Sequence, residues 1–382
     1  MSKKRWAVLA AGVTAGVTAA VSLSAAMPAV AAAMAAGRGT VAAGQGSMAT
    51  SSPSWRIVKQ LRNGTEVEFT AVTAAGRNGG WAFETNFASG GRPQAWERRG
   101  SGWSQVAFPG QADEQVVAAS ATSASDVWAF TVSGTHSRAL RWNGSKWLVT
   151  GNFTHQVGGD VVLGPADVWV FGVPFVPGAG LGAWHYNGRG WSRVAGGNGL
   201  EGGSAVSAHD VWAFAGSNVA HWNGRNWTRT SVARLLPARQ ALNGPAVTGI
   251  YAQSATSVYA IGNGNLQDEG GPVVVLHYNG HAWSRVAQGN YGFGTQPVQQ
   301  IAADGHRGLW LPMPGVLGAP SYLLDYAGGR LTKAGLPAPA SKINVDAVSA
   351  IPGTSDDLAT GFTHAAGNLG SNVSAVILEY AR

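Results

Sequence analysis

Apolar and polar positions along this chain fall into one pattern that returns again and again. A run of small residues is followed by a polar turn and then by an apolar run of β-branched and aromatic residues. A Gly-containing gap and a second apolar run come next, closed by Asn-Gly and a Trp. Short apolar runs bounded by Gly, Asn, Asp and Ser predict strands joined by tight turns, and Asn-Gly suits a hairpin because both residues accept positive φ. The clearest copy is Asp126-Val127-Trp128-Ala129-Phe130 with Arg141-Trp142-Asn143-Gly144-Ser145-Lys146-Trp147. After it, DVWVFG (167–172) goes with WHYNGRGW (184–191), and DVWAFAG (210–216) goes with HWNGRNW (221–227). SVYAIG (257–262) then goes with HYNGHAW (277–283), and GLWLPM (308–313) with DYAGGRL (325–331). A looser first copy joins GGWAF (79–83) to WERRGSGW (96–103), and a last one joins DDLATGF (356–362) to LEY (378–380).

Positions matching Trp128 fall at 81, 128, 169, 212, 259, 310 and about 359, so the chain holds seven units with a period in the forties. Four strands per unit at that period are what the blades of a β-propeller require. The expected fold is therefore all-β, a seven-bladed propeller of four-stranded blades. The chain ends on Leu378-Glu379-Tyr380-Ala381-Arg382, which matches a third strand with no fourth after it. Trp55-Arg56-Ile57-Val58 matches Trp191-Ser192-Arg193-Val194 and Trp283-Ser284-Arg285-Val286, so the N-terminal strand is expected to complete the last blade and leave no open edge there.

Ahead of the repeats, Lys3, Lys4 and Arg5 precede an apolar stretch from Trp6 to Leu23 and a small-residue exit at Ala29-Val30-Ala31, the layout of a secretory signal. Residues 1–31 are expected to be that signal, 32–53 a flexible Ala/Gly/Ser-rich leader, and 54–382 the propeller, exported and extracellular. The composition, with 55 Gly, 16 Trp and 12% charged residues, fits a turn-rich all-β chain. Having no Cys excludes disulfides, thiolate catalysis and Cys-based metal sites. The formal net charge of +7 falls to +4 without Lys3, Lys4 and Arg5, since residues 1–31 hold no Asp or Glu. The remaining cations form no run in sequence, so no nucleic-acid partner is expected, and no membrane contact after cleavage.

Most residues that tempt a chemical reading recur once per unit. All the Trp residues except Trp6 sit in repeat slots, where inter-blade packing is the simplest role. His185, His221 and His277 share a slot with Glu97, Arg141, Asp325 and Glu379, so they are spread around a ring and read as solvent-facing polar positions. Asp126, Asp167 and Asp210 are expected to accept hydrogen bonds from the amides of their own turns. No metal site, cofactor or catalytic set is expected. Candidate ligand contacts fall in the unrepeated loops, where function concentrates on rigid scaffolds. They are Phe153, His155, Arg234, Arg239, Asn265, Asp268, Glu269, Tyr291 and Phe293.

A strand ending in Gly, a variable loop, an aromatic, a turn and a Trp opening the last strand together resemble the kelch and galactose-oxidase-like propellers, in the form found in secreted bacterial repeat proteins. The resemblance covers roughly Trp55 to Arg382, with the paired glycines of kelch reduced to one (Gly172, Gly262). It implies the fold and a ligand-binding face. It carries no catalytic residue, because the copper site of galactose oxidase contains a tyrosine cross-linked to cysteine and this chain has no cysteine. The resulting expectation is a monomeric, non-catalytic module binding a cell-wall or extracellular glycan, or a protein. A carbohydrate-active hydrolase or lyase built from Asp268, Glu269, Tyr291 and His155 is one alternative, and a structural spacer is another.

Overall fold

The computed structural model describes residues 54–61, 67–172, 180–237, 245–263, 272–291, 300–305, 308–313, 322–337, 343–363 and 374–381. They form seven antiparallel four-stranded sheets arranged as the blades of a ring. Blades 1 to 6 span 67–106, 115–153, 157–193, 202–231, 246–289 and 302–333, each with its strands in sequence order from the inside out. Blade 7 takes 343–381 and adds Ser54–Leu61 as its outermost strand. Ser54 pairs with Ala381 and Trp55 with Tyr380, so the N-terminus closes the ring as its match to the fourth strands requires.

Packing between blades follows one relay. The second strand of each blade presents a large ring to the third and fourth strands of the next: Trp81 to Trp142 and Trp147, Trp128 to Tyr186 and Trp191, Trp169 to Trp222 and Trp227, Trp212 to Tyr278 and Trp283. Trp310 hands on to Trp55 and Tyr380 in blade 7 at 5.3 Å each. Ring pairs of this kind add ~0.5–1.5 kcal/mol each beyond the area they bury. The expected packing role of the repeated tryptophans is thus what the structure contains. In blade 7 the slot belongs to Leu358, which pairs with Glu379 as Trp81 pairs with Glu97, and which belongs to the apolar cluster that Trp96 and Trp103 of blade 1 pack against.

The Asn-Gly turns depart from the expectation that both residues take positive φ. Blades 2 to 5 use four-residue loops in which the glycine alone takes positive φ, at +92° for Gly144, +87° for Gly188, +90° for Gly224 and +91° for Gly280. The asparagine caps the loop instead: Asn187 Oδ1 accepts from the Arg189 and Gly190 amides at 3.0 and 3.1 Å, and Asn143, Asn223 and Asn279 do the same in their blades. A side chain on these glycines would also meet the preceding turn of the same blade, Ala166 Cβ at 2.7 Å from Gly188 for example. The two sets of turns therefore stack into one rigid layer.

Candidate functional site

Chain direction gives the ring two unlike faces. One carries the connections between first and second strands and between third and fourth strands, and is termed the turn face. First-to-second connections there are two residues long in blades 2 to 5 (124–125, 165–166, 208–209, 255–256). The opposite loop face carries the second-to-third and inter-blade connections. Its second-to-third connections run from two residues (134–135, 216–217) to ten (364–373) and eleven (173–183).

The repeated polar residues are used within their blades, though not as the sequence suggests. Asp126, Asp167 and Asp210 do not serve turn amides. Each carboxylate accepts the indole N–H of the Trp two residues on, at 3.2, 3.2 and 2.8 Å, and a second donor from the third strand. That donor is Arg141 Nε in blade 2 and the Nε2 of His185 and His221 in blades 3 and 4, all at 2.8 Å. Register explains it, because Trp128 lies directly opposite Arg141, Trp169 opposite His185 and Trp212 opposite His221. The imidazoles lie against the indoles with centroids 4.7 and 4.3 Å apart. In blade 5, His277 bonds Ser257 at 3.0 Å. The solvent-facing reading of this slot is therefore corrected in these blades: it completes a clamp on the second-strand ring.

Of the loop candidates, Phe153 is 5% exposed and packs on Trp184 and Trp191, so its ring belongs to the seam between blades 2 and 3. Tyr291 is half-buried, donates its hydroxyl to the Leu331 carbonyl at 3.2 Å and lies beside Tyr322, which ties blade 5 to blade 6. His155 is partly exposed on the 2–3 connection, hydrogen-bonded through Nδ1 to Thr154, and Arg234 is exposed on the short 3-10 turn Ala233–Leu235. Phe153 ends the fourth strand of blade 2, and the other three stand on three different inter-blade connections of the loop face. Arg239, Asn265, Asp268, Glu269 and Phe293 lie outside the described residues.

Among the described residues the loop face has a built corner at blades 1 and 2. Glu114, 3% exposed, accepts Arg138 Nε at 2.6 Å and Nη2 at 2.5 Å, the Thr131 hydroxyl at 3.1 Å and the Gln111 amide at 2.7 Å. Arg138 also donates to the Pro109 carbonyl, and Arg92 to that of Gly110. Asp113, held at φ +62°, accepts the Gly90 amide at 2.9 Å. Further round the ring, Arg229 donates to the Gly196 and Asn198 carbonyls and Arg285 to those of Leu235 and Leu236, each fastening the connection from the preceding blade.

Buried carboxyls on or just before the first strands are what sequence reasoning missed, although lone acids in small-residue strands were a visible signal. Burial pushes Asp160 up to about 6 against a hydrogen bond from Ser120, and Glu201, at the loop-face end of blade 4, up to about 7. Burial also raises Asp346, aided by the nearby Glu68 carboxylate. A carboxyl raised on folding binds its proton more tightly in the native state, so its stabilising effect is full at acid pH and is lost as pH rises through the folded value. For Asp160 and Glu201 that window runs from their ordinary values of 3.8 and 4.5 up to about 6 and about 7. Asp160→Asn should therefore raise the melting temperature above pH 7 and leave it nearly unchanged at pH 4, measured by thermal melts across that range. An equal shift at both pH values would refute the assignment.

Among the described residues no group of three His, Asp or Glu side chains converges as a metal site. A recess of about 490 Å³ lies on the turn face, lined by His209, Asn223, Gly224 and Arg225.

No family model matches the chain, and no curated relative does. Solved structures match it at the level of fold. "YCF48 bound to D1 peptide" is 14% identical with a TM-score of 0.54 and covers 87% of this chain and 99% of its own. The WD40 repeats of RRP9 are 11% identical with a TM-score of 0.56 over 85% and 98%. The GH74 xyloglucanase from Xanthomonas campestris is 12% identical with a TM-score of 0.51, over 82% of this chain and 54% of that one. Likeness at these identities establishes the propeller and nothing finer.

Proposed function

We propose that this chain is an exported, non-catalytic binding module, a propeller of kelch-like kind that takes a glycan or a protein on its loop face. The observation that carries the reading is the asymmetry of the two faces. Four blades keep the same turns on one side, while on the other the second-to-third connections vary from two residues to eleven. Variable loops on a rigid ring are how one scaffold is fitted to a particular ligand. The clamps on the repeated rings reinforce this, since Asp126, Asp167 and Asp210 with their Arg and His partners serve the blades themselves. Structural neighbours that include a propeller with bound peptide and a xyloglucanase are consistent with either ligand class.

The test is a polysaccharide array and a pull-down of surface proteins with the chain from Ala32. A variant with 173–183 and 264–272 each replaced by the two-residue turn of blade 4 runs beside it. Binding should fall at least tenfold in that variant while its melting temperature holds. Undiminished binding would defeat the reading. A hydrolase is the second reading, and Glu201 is what favours it, since a carboxyl held near 7 at the loop face suits a general acid. It requires polysaccharide hydrolysis that disappears in Glu201→Gln.

A further inference from the structure

The cations that form no run in sequence gather on one face of the ring. Third-to-fourth turns in five blades place Arg99, Lys146, Arg189, Arg225 and Arg330 on the turn face, with His281 in a sixth, and Arg77 joins them from the first-to-second turn of blade 1. All are exposed. Arg99 pairs with Glu97 at 2.9 Å. Lys146, Arg189, Arg225 and Arg330 have no ion-pair partner among the described residues. Elsewhere on the ring the exposed cations are largely engaged: Arg229 and Arg285 on loop carbonyls, Arg92 on Gly110, Arg56 on Glu379, Lys333 over Tyr322.

Opposing charge is withheld from this face. Of the described Asp and Glu residues Asp113 alone is exposed, and it stands on the loop face. Asp126, Asp167 and Asp210 lie just under the turns but are held by Trp with Arg141, His185 or His221. Asp356 is partly buried, and Asp304 is 2% exposed and bonded to the Gly308 amide. Because blades 2 to 5 repeat one capped loop stacked on a two-residue turn, their basic tips stand at a common level.

We propose that the turn face docks on an anionic lipid surface. A set of cations spread over blades 1 to 4 and 6, with those of blades 2 to 4 on one common turn geometry, suits a plane of mobile anionic headgroups, which gather under each charge, better than a linear polyanion whose fixed repeat must match the spacing between blades. The inference departs from the expectation of no membrane contact. It stands apart from the loop-face reading, because docking by the turns uses the opposite face of the ring.

The experiment is sedimentation of the chain from Ala32 with vesicles of phosphatidylcholine alone and of phosphatidylcholine and phosphatidylglycerol in equal parts, at low and high salt. Binding should need phosphatidylglycerol and weaken with salt. Each cation near such a surface contributes a factor of about five in affinity. The variant K146Q/R189Q/R225Q/R330Q should therefore bind more than a hundredfold more weakly, with an unchanged melting temperature. The pair R189Q/R225Q should lose far more than the pair R193Q/R234Q, which removes equal charge from a blade edge and the loop face. Equal loss from both pairs, binding to neutral vesicles, or binding to dextran sulfate or duplex DNA with none to vesicles would each overturn the proposal.

Discussion

A chain that begins at residue 62, without Ser54–Leu61, should melt about 20 °C below the intact protein. The lost strand is the fourth of blade 7, and its Trp55 is 4% exposed between Trp310 and Tyr380. Emptying a buried Trp site alone costs ~3–5 kcal/mol. At ~2–4 °C per kcal/mol for a domain of this order, Trp55→Ala accounts for roughly half of the fall. The remainder is the antiparallel ladder from Ser54–Ala381 to Leu61–Ala375 and the unpaired edge left on Ser374–Ala381, which also invites association between chains. A synthetic peptide of residues 54–61 added to the shortened chain should restore much of the loss. If the shortened chain melts within a few degrees of the intact one, the ring is not closed by this strand.

That closure is legible in the amino-acid sequence because Trp55 stands in a slot filled in other blades. The same holds for the second strands, whose apolar runs and aromatic rings recur at nearly even spacing. The Asp clamps are not legible there. Asp167 and His185 are eighteen residues apart, and only the register that sets Trp169 opposite His185 brings them together. The turns are half legible: Asn-Gly signals reversal, but nothing local says that Asn187 Oδ1 caps two amides while Gly188 alone turns left-handed.

The candidate site is less legible for a physical reason. Loop residues have no counterpart in the next blade, so no internal comparison separates Phe153, which packs, from His155, which remains accessible. The basic face is hidden for the opposite reason: cations met once in most repeats look scattered along a sequence and become a face only when the chain closes on itself. Position in the ring, more than residue type, decides which groups are free for a partner.

Arg138→Met should cost ~3–5 kcal/mol, because it removes one partner of a buried ion pair and leaves the other uncompensated. Glu114 would keep the Thr131 hydroxyl and the Gln111 amide and lose the grip of Arg138, whose Nη2 also holds the Pro109 carbonyl. Melting should fall by about 6–20 °C. The double change Glu114→Gln with Arg138→Met should recover part of that loss, since no buried charge is then stranded, and the difference is the coupling read from a double-mutant cycle. The pair also fastens the 107–114 connection to blade 2, so the single variant should show faster amide exchange there than in the Arg229-held connection of blade 3. An unshifted melting temperature, or a double variant no better than the single, would mean that Glu114 meets water and that this corner of the loop face is not prebuilt. A measured coupling would identify it as the part of the loop face held rigid before any ligand arrives.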